Sequence, residues 1–323
     1  MVESDEIRIG IVGVGLMGAS IAAAMLLAGH KVVGLSPVDS DIDRSAYDRI
    51  KREIDNAISR NIAEGSSQEY LNNLKISRHY SDLSSCNLVI ESVIENLEVK
   101  KEVLQKIEDA VKNDAIIGSN TSAIPINILQ KFLIHGNRFF GLHWSEPACT
   151  SKFLEIICGD ESDQKIGEKL QLLAVRWNKE PTLLRKDIRG FVTNRLMYAL
   201  YREAFYLVEN GYATMEDIDR ACRNDGGVWM AFCGPFRYMD LTGLQAYYHV
   251  MKDLFPTLSN QKTVPEFVEK IALEGGNGIS NGRGFYQYGE NEEKEWEDAY
   301  AEFNLDMFEL KEKHPPESLK KKT

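Results

Sequence analysis

One segment decides the fold of this chain, Arg8-Ile-Gly-Ile-Val-Gly-Val-Gly-Leu-Met-Gly18. It begins as a run of β-type apolar residues, passes through Gly13-x-Gly15-x-x-Gly18, and leads into an apolar, alanine-rich stretch that predicts a helix. Strand, glycine turn and helix in this order are the context in which such glycines bind a dinucleotide. They permit a tight turn, close approach to a pyrophosphate, and close packing of helix on strand. The predicted cofactor-binding residues of the turn are Gly13, Gly15, Leu16, Met17 and Gly18.

Size and composition favour a soluble globular protein of two domains. The chain has 323 residues, of which 43% are hydrophobic and 27% charged. Its net charge of −11 argues against nucleic acid or an anionic membrane surface as a partner. We expect no targeting segment and no membrane span, and therefore a cytoplasmic protein. The five cysteines form no CxxC pair, which indicates reduced thiols and no metal site.

Strand and helix patterns alternate over about the first 185 residues, which predicts a doubly wound, mostly parallel Rossmann-type sheet. After Lys186-Asp-Ile-Arg-Gly190 no convincing strand pattern follows, and Thr214-x-x-Asp217 reads as a capping box that opens a helix. We therefore predict a Rossmann domain over residues 1–187, an all-helical domain over 188–312 and a flexible tail over 313–323.

The second predicted strand, Lys31-Val-Val-Gly-Leu35, bears on the choice between NAD and NADP. Dinucleotide-binding domains often have Asp or Glu after this strand to bind the adenine ribose, but Ser36 follows here. A carboxylate there would repel a ribose phosphate, whereas Ser36 leaves both NAD and NADP possible. Since no arginine follows to bind that phosphate, we predict NAD as the cofactor, with Ser36 beside its ribose.

Among the six histidines, His143 is the candidate acid–base group. It ends the predicted strand Phe139-Phe-Gly-Leu-His143, at the sheet edge where ligand crevices form. Twelve residues later, Glu155 lies within the apolar strand Phe153-Leu-Glu-Ile-Ile157 and needs a polar partner there. The sequence leaves two interpretations open, a catalytic His143–Glu155 pair or two unrelated structural residues.

Several further motifs have a familiar order and spacing. They are Glu-Ser-Val-Ile-Glu-Asn-Leu-x-Val-Lys (91–100), Ser-Asn-Thr-Ser (119–122), His-x-x-x-Pro with Phe-Leu-Glu-Ile (143–156), Gly-Phe-Val-x-Asn-Arg-Leu (190–196), Gly-Pro-Phe (234–236) and Gly-Arg-Gly-Phe-Tyr (282–286). Together with the glycine turn, they resemble the 3-hydroxyacyl-CoA dehydrogenase family. The resemblance implies NAD-dependent hydride transfer between an L-3-hydroxyacyl-CoA and a 3-oxoacyl-CoA, and a role in fatty acid metabolism.

The resemblance also implies roles for individual residues. His143 would exchange the proton of the substrate hydroxyl, and Glu155 would orient His143 and stabilise its charged form. Ser122 and Asn194 would hold the substrate oxygen, with Ser122 also near the cofactor. Two further residues, Glu95 and Lys100, match cofactor-side contacts. The helical domain resembles one that forms a homodimer.

Some positions depart from the family pattern. Glu146 stands in place of an asparagine and would add a negative charge beside the nicotinamide pocket. For the CoA phosphates, the expected cations are Arg60, in place of a lysine, and Lys100. Glu53 falls near a serine position of the family, where a carboxylate is a poor neighbour for phosphate.

A related branch of the superfamily acts on small free hydroxy acids and includes L-gulonate 3-dehydrogenase, the lambda-crystallins and carnitine dehydrogenase. The chain resembles this branch in Asn194-Arg-Leu-Met-Tyr198 and Ala231-Phe-Cys-Gly-Pro235, but it has Trp229 where the branch often has an arginine. A free 3-hydroxy acid is therefore the alternative substrate. A crystallin-like structural protein without turnover is a third interpretation, against which the four intact residues His143, Glu155, Ser122 and Asn194 argue.

Overall fold

The structure, a computed structural model, describes residues 7–36 and 41–315. The chain divides into two compact units, Met1–Arg195 and Leu196–Thr323. Residues 316–323 of the predicted tail lie outside the described residues. The predicted domain limits at 187 and 312 stay a prediction.

The first unit is built on one eight-stranded sheet. Its strands are β1 (Arg8–Val12), β2 (Lys31–Leu35), β3 (Leu74–Ser77), β4 (Leu88–Glu91), β5 (Ile116–Ser119), β6 (Phe139–Trp144), β7 (Leu154–Cys158) and β8 (Thr182–Leu184). The spatial order is β3-β2-β1-β4-β5-β6-β7-β8, with every pair parallel except the antiparallel β6–β7 pair. The predicted mostly parallel, doubly wound sheet is confirmed. The strand order reverses between β1 and β4, the point at which such sheets bind ligands.

Helices cover the sheet and bury the strands. They are α1 (Leu16–Leu27), α2 (Asp41–Ser59), α3 (Ser67–Leu71), α4 (Leu97–Ala110), α5 (Ile126–Gln130) and α6 (Gln164–Arg176), with 3₁₀ turns at Tyr80–Ser85 and Gly136–Arg138. Successive strand residues alternate between two apolar clusters, as the two-residue period of a strand requires. Ile9 and Ile11 of β1 belong to one cluster, and Val12 belongs to the other.

The second unit is helical, as predicted. Its helices are α7 (Thr193–Glu209), which begins in the first unit, α8 (Met215–Ala221), α9 (Gly227–Phe232), α10 (Gly234–Thr242), α11 (Leu244–Leu254), α12 (Glu266–Leu273) and α13 (Glu292–Lys313). A π-helical turn, Cys222–Gly226, joins α8 to α9. The predicted cap is confirmed, since Thr214 Oγ1 accepts a hydrogen bond from the Asp217 N–H at 3.2 Å. Across residues 7–36 and 41–315, no helix has the length and apolar character that crossing a membrane would require.

Candidate active site

The glycine turn after β1 packs against the end of β4. Gly13 has φ of +93°, and a Cβ atom there would lie 2.7 Å from the carbonyl oxygen of Ser92. A Cβ on Gly18 would lie 1.8 Å from the carbonyl oxygen of Gly13, so helix and turn approach too closely for a side chain. Space is open around Gly15, where a Cβ would meet no atom within 4 Å. The turn therefore leaves bare backbone facing open space, as a bound pyrophosphate requires.

Helix α1 begins directly after this open position. Its N-cap residue, Gly15, makes no side-chain capping hydrogen bond, and the first turn contains no acidic residue. The first N–H groups of a helix lack partners within the helix and carry partial positive charge. Leu16, with 62% of its surface exposed, lies at this end of the helix. These features fit a dinucleotide phosphate at the N-terminus of α1.

At the carboxyl end of β4, Glu91 and Lys100 form a fully buried ion pair. Lys100 Nζ lies 2.8 Å from Glu91 Oε1 and 3.3 Å from Glu95 Oε2, and it has no exposed surface. Glu91 also accepts hydrogen bonds from the Val93 N–H and the Ser119 hydroxyl. The phosphate contact expected of Lys100 is not available to a side chain with no exposed surface. Lys100 instead serves as the structural counter-ion of Glu91.

Glu95 holds the segment that contains Ser122. Its Oε1 atom accepts hydrogen bonds from the Thr121 hydroxyl and from the backbone N–H groups of Ser122 and Ala123, the last two at 3.1 and 2.9 Å. Burial alone raises the pKa of Glu95, but these hydrogen bonds and Lys100 outweigh it, so the pKa lies below its ordinary value. Glu95 is therefore a charged carboxylate that orders the backbone around Ser122.

His143 and Glu155 face each other across the antiparallel β6–β7 pair. They are direct partners in the strand register, and His143 Nδ1 lies 2.9 Å from Glu155 Oε2. Side chains at directly opposed positions of an antiparallel pair lie on the same face, which explains their contact. Glu155 is fully buried, whereas 8% of the His143 surface is exposed. The rings of Phe153 and Phe191 pack on the imidazole at centroid distances of 5.4 and 5.5 Å.

The second oxygen of Glu155 is bound by the start of helix α7. Oε1 accepts hydrogen bonds from the N–H groups of Val192 and Thr193 and from the Thr193 hydroxyl, at 3.1, 2.9 and 3.1 Å. Burial in itself raises the pKa of Glu155, but the hydrogen bonds from His143 and Thr193 outweigh it, and the pKa lies below the ordinary value. Glu155 is thus a carboxylate at neutral pH, and its hydrogen bond to Nδ1 fixes the orientation of the imidazole.

Asn194, the residue after Thr193, lies beside Ser122. Its Nδ2 atom donates to the Ser122 carbonyl oxygen at 3.3 Å. Glu155 therefore joins His143 to the start of α7, and Asn194 joins the start of α7 to the Ser122 segment. Four residues predicted from the sequence, His143, Glu155, Ser122 and Asn194, are linked in this way within the first unit.

The other predicted site residues are more widely spread. Ser36 is buried at the carboxyl end of β2, where its N–H donates to the Ser77 carbonyl oxygen. Pro37, which follows it, lies outside the described residues. Glu146 is exposed on the segment after β6. Arg60 directly follows the last residue of α2 and is half-buried.

Three contributors to the site were missed by the sequence reasoning. Thr193 binds Glu155, Phe191 packs on His143, and Glu91 pairs with Lys100. A signal existed for Glu91, because a carboxylate at the end of a buried strand needs a partner. No local pattern identified the other two. Within the described ranges, no group of three or more His, Cys, Asp or Glu side chains is arranged to hold a metal ion.

Two family models together match most of the chain. The family model for the NAD-binding domain of 3-hydroxyacyl-CoA dehydrogenase matches residues 8–188, and the model for its C-terminal domain matches residues 190–288. The chain belongs to the 3-hydroxyacyl-CoA dehydrogenase family. It is an NAD-dependent oxidoreductase, and the resemblance deduced from its motifs is confirmed.

Two kinds of relative are similar to the chain. One is 5-formyl-3-hydroxy-2-methylpyridine 4-carboxylate 5-dehydrogenase from Mesorhizobium japonicum, 31% identical over 87% of this chain and 90% of the relative. A crystal structure of an enzyme of this name, described as an NAD⁺-dependent dismutase, has a TM-score of 0.85 and 30% identity, covering 94% of this chain and 98% of that one. The other is (S)-3-hydroxybutyryl-CoA dehydrogenase from Ralstonia eutropha, with a TM-score of 0.73 and 29% identity over 88% and 99% of the two chains.

Proposed function

We propose that this protein interconverts an L-3-hydroxyacyl-CoA and the corresponding 3-oxoacyl-CoA. The observation that carries the proposed chemistry is the 2.9 Å contact between His143 and Glu155 at the carboxyl end of β6. Support for an acyl-CoA substrate, and for a role in fatty acid metabolism, comes from the family models that match both domains. NAD, when bound, supplies the hydride acceptor at C4 of its nicotinamide.

His143 is the proposed catalytic acid–base residue. With Nδ1–H donated to Glu155, the other ring nitrogen, Nε2, keeps a lone pair and can take the proton of the substrate hydroxyl. Glu155 acts as a positioning residue, because it fixes the ring orientation and stabilises the imidazolium that forms. The rings of Phe153 and Phe191 restrict the access of water to this pair.

Ser122 and Asn194 are the proposed ligands of the substrate oxygen. The Ser122 hydroxyl is exposed on a backbone that Glu95 holds, and Asn194 is held against that backbone by its own amide. Hydrogen bonds to an oxygen that gains negative charge during hydride transfer lower the barrier of the reaction. The contacts that hold Ser122 and Asn194 therefore fix two hydrogen-bond donors before the substrate binds.

For the cofactor, we propose that Gly13, Gly15, Leu16, Met17 and Gly18 hold the pyrophosphate, with Ser36 toward the adenine ribose and Glu95, Lys100, Ser122 and Glu146 toward the nicotinamide. Lys100 acts there through the carboxylate of Glu95, 3.3 Å away. NAD is preferred over NADP modestly, because Ser36 adds no charge that repels a 2′-phosphate.

A second candidate is a dehydrogenase of a small carboxylic acid without CoA. The TM-score of 0.85 with the pyridine carboxylic acid dehydrogenase exceeds the 0.73 with the hydroxybutyryl-CoA enzyme. The family model ends at residue 288, whereas this chain continues into α13.

A substrate panel separates the two candidates. Purified protein is mixed with NADH and acetoacetyl-CoA, with NADH and acetoacetate, or with NAD and 5-formyl-3-hydroxy-2-methylpyridine 4-carboxylate. NADH absorbance is followed for the first two mixtures, and the products of the third are separated by chromatography, because a dismutation consumes as much NADH as it forms. We expect reduction of acetoacetyl-CoA. Its KM should rise on addition of salt, because salt screens exposed charge pairs, and it should rise in Arg60→Ala, because this variant lacks the cation proposed to bind a CoA phosphate. Turnover of either free acid, with none of acetoacetyl-CoA, would refute the CoA proposal and favour the second candidate.

We further propose a homodimer formed through the helical unit. None of helices α7–α13, all of which lie in the described part of the chain, contains a buried residue. Large apolar side chains are exposed there instead, among them Phe236 and Leu273 at 81% each. A second copy that covers these side chains would bury apolar surface and stabilise the unit. Sedimentation equilibrium should give twice the chain mass of 36.6 kDa.

The proposed location is the cytoplasm. All five cysteines are free thiols, and Cys86, Cys149 and Cys158 are buried. Free thiols persist in reducing compartments, in agreement with this location.

A further inference from the structure

Residues 145–153 join the strand of His143, β6, to the strand of Glu155, β7. We call residues 145–151 of this connection the β6–β7 loop. Within the loop, the Ser151 N–H donates to the Pro147 carbonyl oxygen at 2.9 Å, and the hydroxyls of Ser145 and Ser151 lie 2.7 Å apart. The loop is also bound by three residues outside it, Ser20, Glu53 and Lys179, none of which has a role in the proposed reaction.

The first external contact comes from helix α1. The N–H of Ala148 donates to Ser20 Oγ at 2.8 Å, and both residues are 1% exposed. Ser20 Oγ in turn lies 3.0 Å from Glu53 Oε2 on helix α2. A hydroxyl has one proton, and the Ala148 N–H occupies one of its lone pairs, so the proton of Ser20 points to Glu53. Glu53 therefore orients Ser20 as the acceptor for the loop.

The next loop residue reaches Glu53 directly. Cys149 Sγ lies 3.3 Å from Glu53 Oε2. Burial, together with the neighbouring Glu53 carboxylate, raises the pKa of Cys149 to about 12, so the thiol keeps its proton and acts as a donor. Glu53 thus accepts hydrogen bonds from Ser20 and from Cys149. Glu53 is half-buried, and both of these partners belong to the first unit.

Lys179 binds the opposite side of the loop. Its ammonium group donates hydrogen bonds to the carbonyl oxygens of Ala148 and Ser151, and it lies 5.5 Å from the centroid of the Trp144 ring. Only 3% of Lys179 is exposed. The peptide groups of Ala148 are therefore held at both ends, the N–H by Ser20 and the C=O by Lys179.

We propose that Glu53 and Ser20 are positioning residues for the proton exchange at His143, acting through the β6–β7 loop. This inference rests on the proposed function. His143 and Trp144 precede the loop directly, so a loop that loses its anchor at Ala148 changes the end of β6. Displacement of a catalytic group by about 1 Å can cost about a hundredfold in rate. Ser20 and Glu53 touch neither substrate nor reacting atoms.

Ser20→Ala tests the proposal most directly. Alanine is a good helix former, so α1 keeps its own stability, while the buried Ala148 N–H loses its acceptor. We expect kcat to fall about tenfold or more, with the Kd for NADH, measured by fluorescence, unchanged. Glu53→Leu should behave like Ser20→Ala, and Glu53→Gln should keep most of the activity, because the amide oxygen still accepts from Ser20.

The matched control is Asp55→Asn, on the same helix. Asp55 pairs with Lys51 at the surface, with 45% of each side chain exposed, and has no contact with the loop. Its kcat should equal that of the wild type. Equal kcat in wild type, Ser20→Ala and Glu53→Leu would overturn the positioning role. If the proposed substrate is wrong, the wild type itself fails to turn over, which is a different result.

Hydrogen–deuterium exchange gives a readout that does not depend on any substrate. Peptides that cover residues 145–151 should exchange faster in Ser20→Ala and Glu53→Leu than in the wild type and in Asp55→Asn. Peptides from β1 and β4 should exchange equally in all four proteins. If the loop exchanges at the wild-type rate in Ser20→Ala, the hydrogen bond from Ala148 to Ser20 does not hold the loop, and the proposal is wrong. Faster exchange with a normal kcat would equally refute the proposal, because the anchor would then have only a structural role.

Discussion

Two buried carboxylates at the same edge of the sheet differ in their partners. Glu91, at the end of β4, binds Lys100 at 2.8 Å, and both side chains have no exposed surface. Glu155, near the start of β7, binds His143 at 2.9 Å, and 11% of the histidine side chain is exposed. Both carboxylates also accept hydrogen bonds from nearby backbone N–H groups.

The difference lies in what the partner can do with a proton. Lysine is a cation over the whole neutral range, and Lys100 has no access to solvent or substrate, so the Glu91–Lys100 pair holds structure. Histidine gains and loses a proton near neutral pH, and His143 reaches the surface. Both pairs consist of a buried carboxylate with a basic side chain and backbone N–H donors, but the Glu91–Lys100 pair stabilises the fold, whereas the Glu155–His143 pair can exchange a proton with a substrate.

The largest expected effect is on the rate of the His143→Ala variant. Removal of a positioned general base should lower kcat by at least about a hundredfold, with the Kd for NADH little changed. Stopped-flow absorbance of NADH with the best substrate of the panel measures the chemical step. As a control, His135→Ala alters an exposed histidine whose backbone N–H binds Glu108, and it should leave kcat unchanged. Near-normal turnover in His143→Ala would mean that the His143–Glu155 pair is structural as well.

The next effect concerns stability and the Glu91–Lys100 pair. Lys100→Met leaves a buried carboxylate without its cation, which typically costs about 3–5 kcal/mol of the free energy of unfolding. Urea unfolding, followed by circular dichroism, measures this loss. The exposed pair Lys106–Glu102 provides the control, and Lys106→Met should change stability far less.

A double variant makes the comparison sharper. In Glu91→Leu with Lys100→Met, no charge is left buried, so the double variant should be more stable than Lys100→Met alone. The Ser119 hydroxyl and the Val93 N–H still lose an acceptor, so stability should not return fully to that of the wild type. A double variant less stable than both single variants would show that the carboxylate matters mainly for its hydrogen bonds.

Local sequence patterns predicted two parts of the site, the glycine turn and the His143–Glu155 pair. The turn from Gly13 to Gly18 depends on residues adjacent in sequence, and the backbone confirms the positive φ of Gly13. The contact of His143 with Glu155 could be suspected because a carboxylate in an apolar strand requires a partner. Its geometry follows from the antiparallel β6–β7 pair, in which the two residues are opposed.

Other features depend on contacts between distant parts of the chain. Lys100 reads as an exposed cation at the start of a helix, and its burial follows only once Glu91 is known to end β4. Glu53 reads as a carboxylate on the polar face of α2. Its partners, Ser20 and Cys149, are 33 and 96 residues away in sequence, so no pattern near Glu53 indicates these contacts.

The smallest expected effect concerns the pH dependence that Glu155 gives to stability. The pKa of Glu155 is lower in the folded protein than its ordinary value, since the hydrogen bonds from His143 and Thr193 outweigh burial. A carboxyl group of this kind contributes stability that is fully present above its unfolded pKa of about 4.3 and is lost as the pH falls through the folded value. Glu155→Gln should therefore be less stable than the wild type by about 1–2 kcal/mol from pH 8 to about pH 5.5, and the difference should shrink below about pH 4. Urea unfolding at each pH measures it, with Glu168→Gln, from the exposed pair with Arg185, as the control that should show little change. A difference that grows as the pH falls would mean that burial, not hydrogen bonding, dominates at Glu155.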